Sequence, residues 1–201
     1  MRRLVIGALC SLALAAAGGA SAQPASVGNA APAFAAKDIA GKSVTLAEFR
    51  GKYVILEWTN PDCPYVRKHY SSGNMPATQK LAMAKGAVWL SVSTGDTHSA
   101  TELQLWQKSK SATPTATLVD PDGRIARAYG ARTTPHMYIV DPQGTLIYAG
   151  AIDSKPSSNP ADIQSATNYV DQALAEVMAG KPVSRAVTQA YGCSVKYPSG
   201  A

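Results

Sequence analysis

Cys63 stands between Asp62 and Pro64, just beyond the run Tyr53-Val54-Ile55-Leu56-Glu57-Trp58-Thr59. That run is β-branched, aromatic and almost continuously apolar, the pattern of a strand covered on both faces. Pro64 fits best at the first position of a helix, where its missing N–H would have had no partner anyway, and this makes Cys63 the N-cap. A sulfur in that place faces unpaired backbone N–H groups and the positive end of the helix dipole, both of which favour the thiolate. Arg67, one turn on, and Lys68 beside it add positive charge, while Asp62 opposes them. The chemistry this predicts is attack by sulfur. The competing reading is a buried, inert cysteine, a common fate of this residue in cores.

Cys193 lies 130 positions further on. Two such thiols can pair in an oxidising compartment but need not. Pro135, in Arg132-Thr133-Thr134-Pro135-His136, immediately precedes a second buried run, and a cis Thr134–Pro135 bond is one way to accommodate it.

Positioning these groups requires alternating strands and helices. Ala33–Lys37 and Ser43–Leu46 read as a small hairpin about Asp38-Ile39-Ala40-Gly41, and 53–59 as the central strand. Helical character runs from Pro64 to Ala84 with breaks at Gly73 and Pro76, and again over Thr101–Lys110. Further strands are expected at Ala87–Ser93, Ala116–Val119, His136–Val140 and Thr145–Ala149, with Asp-Pro-x-Gly turns after the third and fourth buried runs. Pro160–Met178 carries apolar residues at three-to-four spacing and stops at Gly180, an amphipathic helix. The sum is an α/β domain with a central mixed sheet flanked by helices, an N-terminal hairpin and a C-terminal extension. Catalytic groups of such sheets lie at the carboxyl ends of strands, where Cys63 is.

The 201 residues, 46% hydrophobic and 16% charged, fit one globular domain without disulfide staples. The net charge of +6 is scattered, so no basic stripe for nucleic acid is present. Met1-Arg2-Arg3, the apolar stretch from Leu4 to Ala17 and Ala20-Ser21-Ala22 read as a secretory leader over 1–22, too short to anchor in a membrane. The expectation is export to a periplasmic or secreted location with no stable membrane insertion. Residues 23–32 read as a flexible lead-in, 33–180 as the domain and 181–201 as a tail carrying Cys193.

Taken in order, Ala31-Pro32-Ala33-Phe34, Leu46-Ala47-Glu48-Phe49-Arg50-Gly51-Lys52, Glu57-Trp58-Thr59, Cys63-Pro64, Ala128-Tyr129-Gly130, Thr134-Pro135 and Ile139-Val140-Asp141-Pro142-Gln143-Gly144 resemble the thioredoxin superfamily, in its redoxin or peroxiredoxin-like branch. The resemblance implies a thioredoxin-like fold, a reactive Cys63 and a cis-proline loop at Thr134-Pro135 packed against it. It also makes Cys193 similar in placement to a C-terminal resolving cysteine. The sequence departs from the relatives at several points. Cys63-Pro64-Tyr65-Val66 has no adjacent second cysteine, and Asn60, with Thr59 before it, stands where peroxiredoxins carry Thr or Ser. Arg132 and Arg67 are the candidates for a partner arginine. Trp58, Tyr65 and Tyr70 are candidate walls of a substrate cleft.

The implied activity is that of an antioxidant peroxidase needing no cofactor. Cys63 attacks a hydroperoxide, Cys193 condenses with the sulfenic acid, and an external thiol donor reduces the disulfide. Thiol–disulfide exchange with a disulfide substrate is the first alternative, and a binding domain clasped by a permanent Cys63–Cys193 bond the second. A copper site from Cys63, His69 and His136 lacks any accompanying Cys-x-x-x-Cys, so no metal is expected; His69 reads as a helix-surface residue and His98 as a loop residue.

Overall fold

The computed structural model describes residues 24–198; the leader expected over 1–22 lies outside them. Strands β1 (Ala35–Asp38) and β2 (Ser43–Thr45) form the expected hairpin, and a 3-10 turn over Leu46–Phe49 leads to β3 (Val54–Trp58), buried along its whole length. Next come α1 (Pro64–Ser71), α2 (Asn74–Ala84), β4 (Val88–Thr94), α3 (Ala100–Ser109) and β5 (Ala116–Asp120). A short helix α4 (Arg124–Tyr129), which the sequence reading did not contain, precedes β6 (Thr133–Thr134), β7 (His136–Val140) and β8 (Leu146–Gly150).

Among the described residues one sheet has the strand order β2-β1-β5-β4-β3-β7-β8. β3, β4 and β5 are parallel, as connections through helices demand, and the outer pairs are antiparallel. Side chains alternate across this sheet into two apolar layers. Leu56, Trp58, Leu90 and Tyr138 enter one; Ile55, Trp89, Met137 and Ile139 enter the other, together with Cys63, Val66 and Tyr70 of the α1 region. This is the thioredoxin-like architecture that the resemblance implied.

The expected long helix over Pro160–Met178 is divided into a 3-10 segment, Pro160–Ser165, and α5 (Tyr169–Met178). Asn168 caps α5 by accepting from the Val170 and Asp171 N–H groups, so the helix starts later than its apolar spacing suggests. Residues 24–32 are not a loose lead-in. Ala25 N–H donates to Ala128, Gly28 N–H to Leu146 and Ala31 N–H to Gly144, while Ala25, Val27 and Ala31 pack on the first apolar layer. The tail is also docked: Ala186 and Thr188 bond to Ala149, and β9 (Cys193–Ser194) pairs antiparallel with β6, Thr134 opposite Cys193. No helix of the described residues is long and apolar enough to cross a membrane.

Candidate active site

The chain leaves β3 through a turn built by Asn60, whose Oδ1 accepts from Asp62 N–H at 2.8 Å and whose carbonyl accepts from Cys63 N–H at 3.1 Å. Asn60 therefore shapes the loop and does not address the sulfur. Cys63 is the N-cap of α1, with extended backbone (φ −72°, ψ 121°), its carbonyl accepting from Arg67 N–H and Pro64 at the first helical position. The residue is only 2% exposed.

Its thiol does not close a cap hydrogen bond; it donates to the Thr134 carbonyl at 3.0 Å, immediately before the cis Thr134–Pro135 bond. Pro135 is buried beside it. Burial works against ionisation of Cys63, but the polar groups near it, the Cys193 thiol, the Thr134 side chain and the Val66 and Cys193 backbones, favour the thiolate more strongly, and its pKa lies below the ordinary value. Thr134 Oγ1 is buried with no hydrogen-bond partner. Cys193 is displaced the other way. Burial, the hydrogen bond to Cys63 and the charge of Cys63 push it up to about 11.

Among the described residues, no cation is among the causes that lower the Cys63 pKa. Arg67 turns outward, its Nε donating to the Pro61 carbonyl at 2.8 Å and its Nη2 pairing with Asp62 at 3.0 Å. Arg132 is exposed, and its charge bears on His136 rather than on Cys63. Its backbone matters more: the Arg132 carbonyl accepts from Val195 N–H at 3.0 Å and helps seat the tail. Trp58 lies on the opposite face of the sheet, fully buried against Tyr129 and Tyr138, so it packs the core and lines no cleft. Tyr65 is half-buried, edge-on to Tyr191 of the tail at 5.9 Å between centroids. Thr59 and Tyr70 are buried on the Cys63 side, Thr59 Oγ1 without a partner. His69 is wholly buried, not on a helix surface, and His136 stacks on Tyr138 at 4.5 Å on the Trp58 face, so the two histidines do not converge with Cys63.

Glu57 is a residue the site reading passed over, although a carboxyl inside an apolar strand was a visible signal. It accepts from Tyr70 Oη (2.7 Å), Trp89 Nε1 (2.8 Å), Ser91 Oγ (3.1 Å) and Gln79 Nε2 (3.3 Å), with no exposure to solvent. Burial raises its pKa, and these four donors only partly offset the rise. The folded chain therefore holds this proton above pH 4.5, where the unfolded chain releases it, and the stability it confers is lost as pH rises through the folded value. As pH rises above 4.5, the urea midpoint of the native protein should fall relative to that of Glu57→Gln. Parallel midpoints would show that the carboxyl is ionised throughout.

The AhpC/TSA family pattern matches residues 27–149, from the docked lead-in to the end of β8. The chain belongs to the AhpC/TSA family. An uncharacterized conserved protein from Geobacillus kaustophilus superposes with TM-score 0.72 at 24% identity, over 88% of this chain and 94% of its own. A hypothetical protein from Sinorhizobium meliloti gives 0.71 at 23%, over 89% and 98%. The thioredoxin domain of a thiol-disulfide oxidoreductase from Bacteroides vulgatus gives 0.54 at 22%, over 70% and 96%. No curated protein matches the chain. As a member of the AhpC/TSA family, the protein is a redoxin-type member of the thioredoxin superfamily, and its family places it among thiol-based redox proteins.

Proposed function

We propose that the protein is an exported two-cysteine oxidoreductase that reduces disulfides, Cys63 attacking and Cys193 resolving. The observation that carries this reading is that the Cys63 thiol donates to the Thr134 carbonyl at 3.0 Å while Cys193 pairs with Thr134 across the β6–β9 ladder, with the two thiol pKa values displaced in opposite directions. A lowered attacking thiol beside a raised resolving one is an ordered pair. The Cys63 thiolate attacks one sulfur of a client disulfide, forms a mixed disulfide and expels the other sulfur as a thiolate. Cys63 then no longer carries charge, which removes two of the three causes that keep Cys193 protonated. Cys193 gives up its proton, attacks the Cys63 sulfur and releases the second client thiol. The client has gained two electrons, and the protein holds a Cys63–Cys193 disulfide that an external thiol donor reduces. The leader-like residues 1–22 support export, which places that donor outside the cytosol.

Peroxide reduction is the second reading, favoured by the family and by the unpartnered Thr134 hydroxyl next to the sulfur. Cys63 thiolate would take the distal oxygen of ROOH, ROH would leave, and Cys193 would condense with the sulfenic acid, releasing water. Exchange ranks first because, among the described residues, the two candidate guanidinium groups do not address the sulfur: Arg67 is held by Pro61 and Asp62, and Arg132 is exposed. Reduced protein offered glutathione disulfide or hydrogen peroxide in separate reactions distinguishes the two by thiol loss and intact mass. Oxidation by the disulfide should outpace that of free glutathione thiol by about tenfold or more, with no such gain toward peroxide. The reverse ranking would overturn exchange in favour of peroxidase activity.

A further inference from the structure

The tail that carries Cys193 has an anchor that the redox chemistry does not use. Lys68 and His69 of α1 and Asp153, just beyond β8, are 1%, 0% and 2% exposed. Lys68 Nζ donates to the Lys155 carbonyl at 3.0 Å and pairs with Asp153 Oδ2 at 3.4 Å. Asn74 Nδ2 lies 2.8 Å from His69 Nδ1 and can only donate, so the His69 proton is on Nε2, 3.2 Å from Tyr191 Oη. The Tyr191 hydroxyl in turn donates a hydrogen bond to Asp153 Oδ1. The result is one directed chain, Asn74 to His69 to Tyr191 to Asp153, closed by the Lys68 ammonium. Burial, with Lys68 adding to it and Asp153 opposing, holds His69 down to about 4, so the chain keeps this direction at neutral pH.

Stability does not account for such a cluster. Two buried charges cost several kcal/mol each in desolvation, and apolar residues of similar volume generally serve a core as well. What the cluster achieves is geometric, because its members converge on Tyr191, two residues before Cys193. β6 and β9 pair over only two residues each, Thr133 with Ser194 and Thr134 with Cys193, too short a ladder to fix a tail alone. Lys68 Nζ also sits 5.6 Å from the centre of the Tyr191 ring, and Tyr65 covers the edge of that ring.

We infer that Tyr191 is a positioning residue for disulfide closure, its hydroxyl fixed between His69 and Asp153 so that Cys193 stays opposite Thr134, whose carbonyl accepts the Cys63 thiol. This rests on the Cys63–Cys193 couple proposed above. Tyr191→Phe keeps the ring and removes the two hydrogen bonds. The probe is glutathione: in redox buffers the protein disulfide and two glutathione thiols are in equilibrium with the protein dithiol and one glutathione disulfide. The equilibrium should move at least about tenfold toward the dithiol in the variant, because the effective concentration of Cys193 at Cys63 falls. Mixed disulfide with glutathione should accumulate by mass, while first attack by Cys63 changes less than about threefold and Tm by no more than about 5 °C. A purely structural role for the hydroxyl would lower Tm without this split between attack and closure. Should Tyr191→Phe not fold, Asn74→Ala releases the His69 ring and should shift the same equilibrium several-fold. An equilibrium within twofold of the native value, with no trapped mixed disulfide, overturns the positioning role alone. A native protein that forms no Cys63–Cys193 disulfide at any glutathione ratio overturns the couple and this inference together.

Discussion

Cys63→Ser should abolish disulfide reduction by about three orders of magnitude or more, whereas Cys193→Ser should let the first attack proceed and stop as a mixed disulfide on Cys63. The asymmetry follows from the site. Cys63 sits at the N-cap of α1, where neighbouring thiol, hydroxyl and backbone N–H groups hold its pKa below the ordinary value, so it is the cysteine that carries negative charge. Cys193 at about 11 is a thiol at neutral pH and does not compete for the client. A serine at 193 keeps an O–H donor facing the Cys63 sulfur but cannot resolve; an alanine loses the donor as well. Cys193→Ala should therefore raise the Cys63 pKa relative to Cys193→Ser, read as thiolate absorbance against pH. If Cys193→Ser reacts to completion without a trapped intermediate, another thiol resolves and the pair is not the couple. If serine and alanine give one titration curve, the Cys193 thiol is not what holds the Cys63 charge.

The parts of this site that follow from local chemistry were legible in the sequence. An apolar run ending in a residue followed by proline gives a buried strand, a turn and a helix start, and Cys63 is the N-cap for those reasons. Thr134-Pro135 before a buried run is the cis bond. Charges on α1 were misplaced because an amphipathic reading allots the helix one buried face. The Asp153 loop and the tail cover a second face, and partners 85 and 122 residues away draw Lys68 and His69 inward. The same blindness hid the order at both ends. Residues 24–32 are mostly small, yet they bond to β8 and α4 through backbone groups that no side-chain pattern announces. Trp58 was legible as buried but not as to face; register settles that, since Trp58 lies opposite His136 and shares its side of the sheet with Tyr138. The cations expected to sustain the thiolate are replaced by hydrogen-bond donors, one of them from a tail whose docking no periodicity encodes.

Gly192→Ala should loosen the coupling of the two cysteines, although it touches neither sulfur. Gly192 adopts φ +140°, and a Cβ there would lie 2.0 Å from the Thr134 carbonyl oxygen and 2.7 Å from its carbon. Both atoms are backbone rather than the far end of a flexible side chain, and the carbonyl accepts the Cys63 thiol. The tail must therefore lift, breaking the pairing of Cys193 with Thr134 and of Ser194 with Thr133. The sheet and both apolar layers remain covered, so the loss of stability should be modest, about 1–3 kcal/mol. The glutathione equilibrium should nevertheless move at least about tenfold toward the dithiol, and alkylation of Cys63 by a bulky maleimide should accelerate as its cover leaves. Gly41→Ala is the control. It stands in the β1–β2 turn at φ +81° with nothing within 4 Å of its added Cβ, so it meets only the backbone strain of roughly 1–2 kcal/mol and should leave the couple unchanged. Equal effects of the two alanines on the glutathione equilibrium would mean that the close approach at Thr134 does not set the geometry of the pair. A selective effect at Gly192 would mean that the tail, through less than one turn of chain, decides whether Cys63 closes on its own partner or stays open to another.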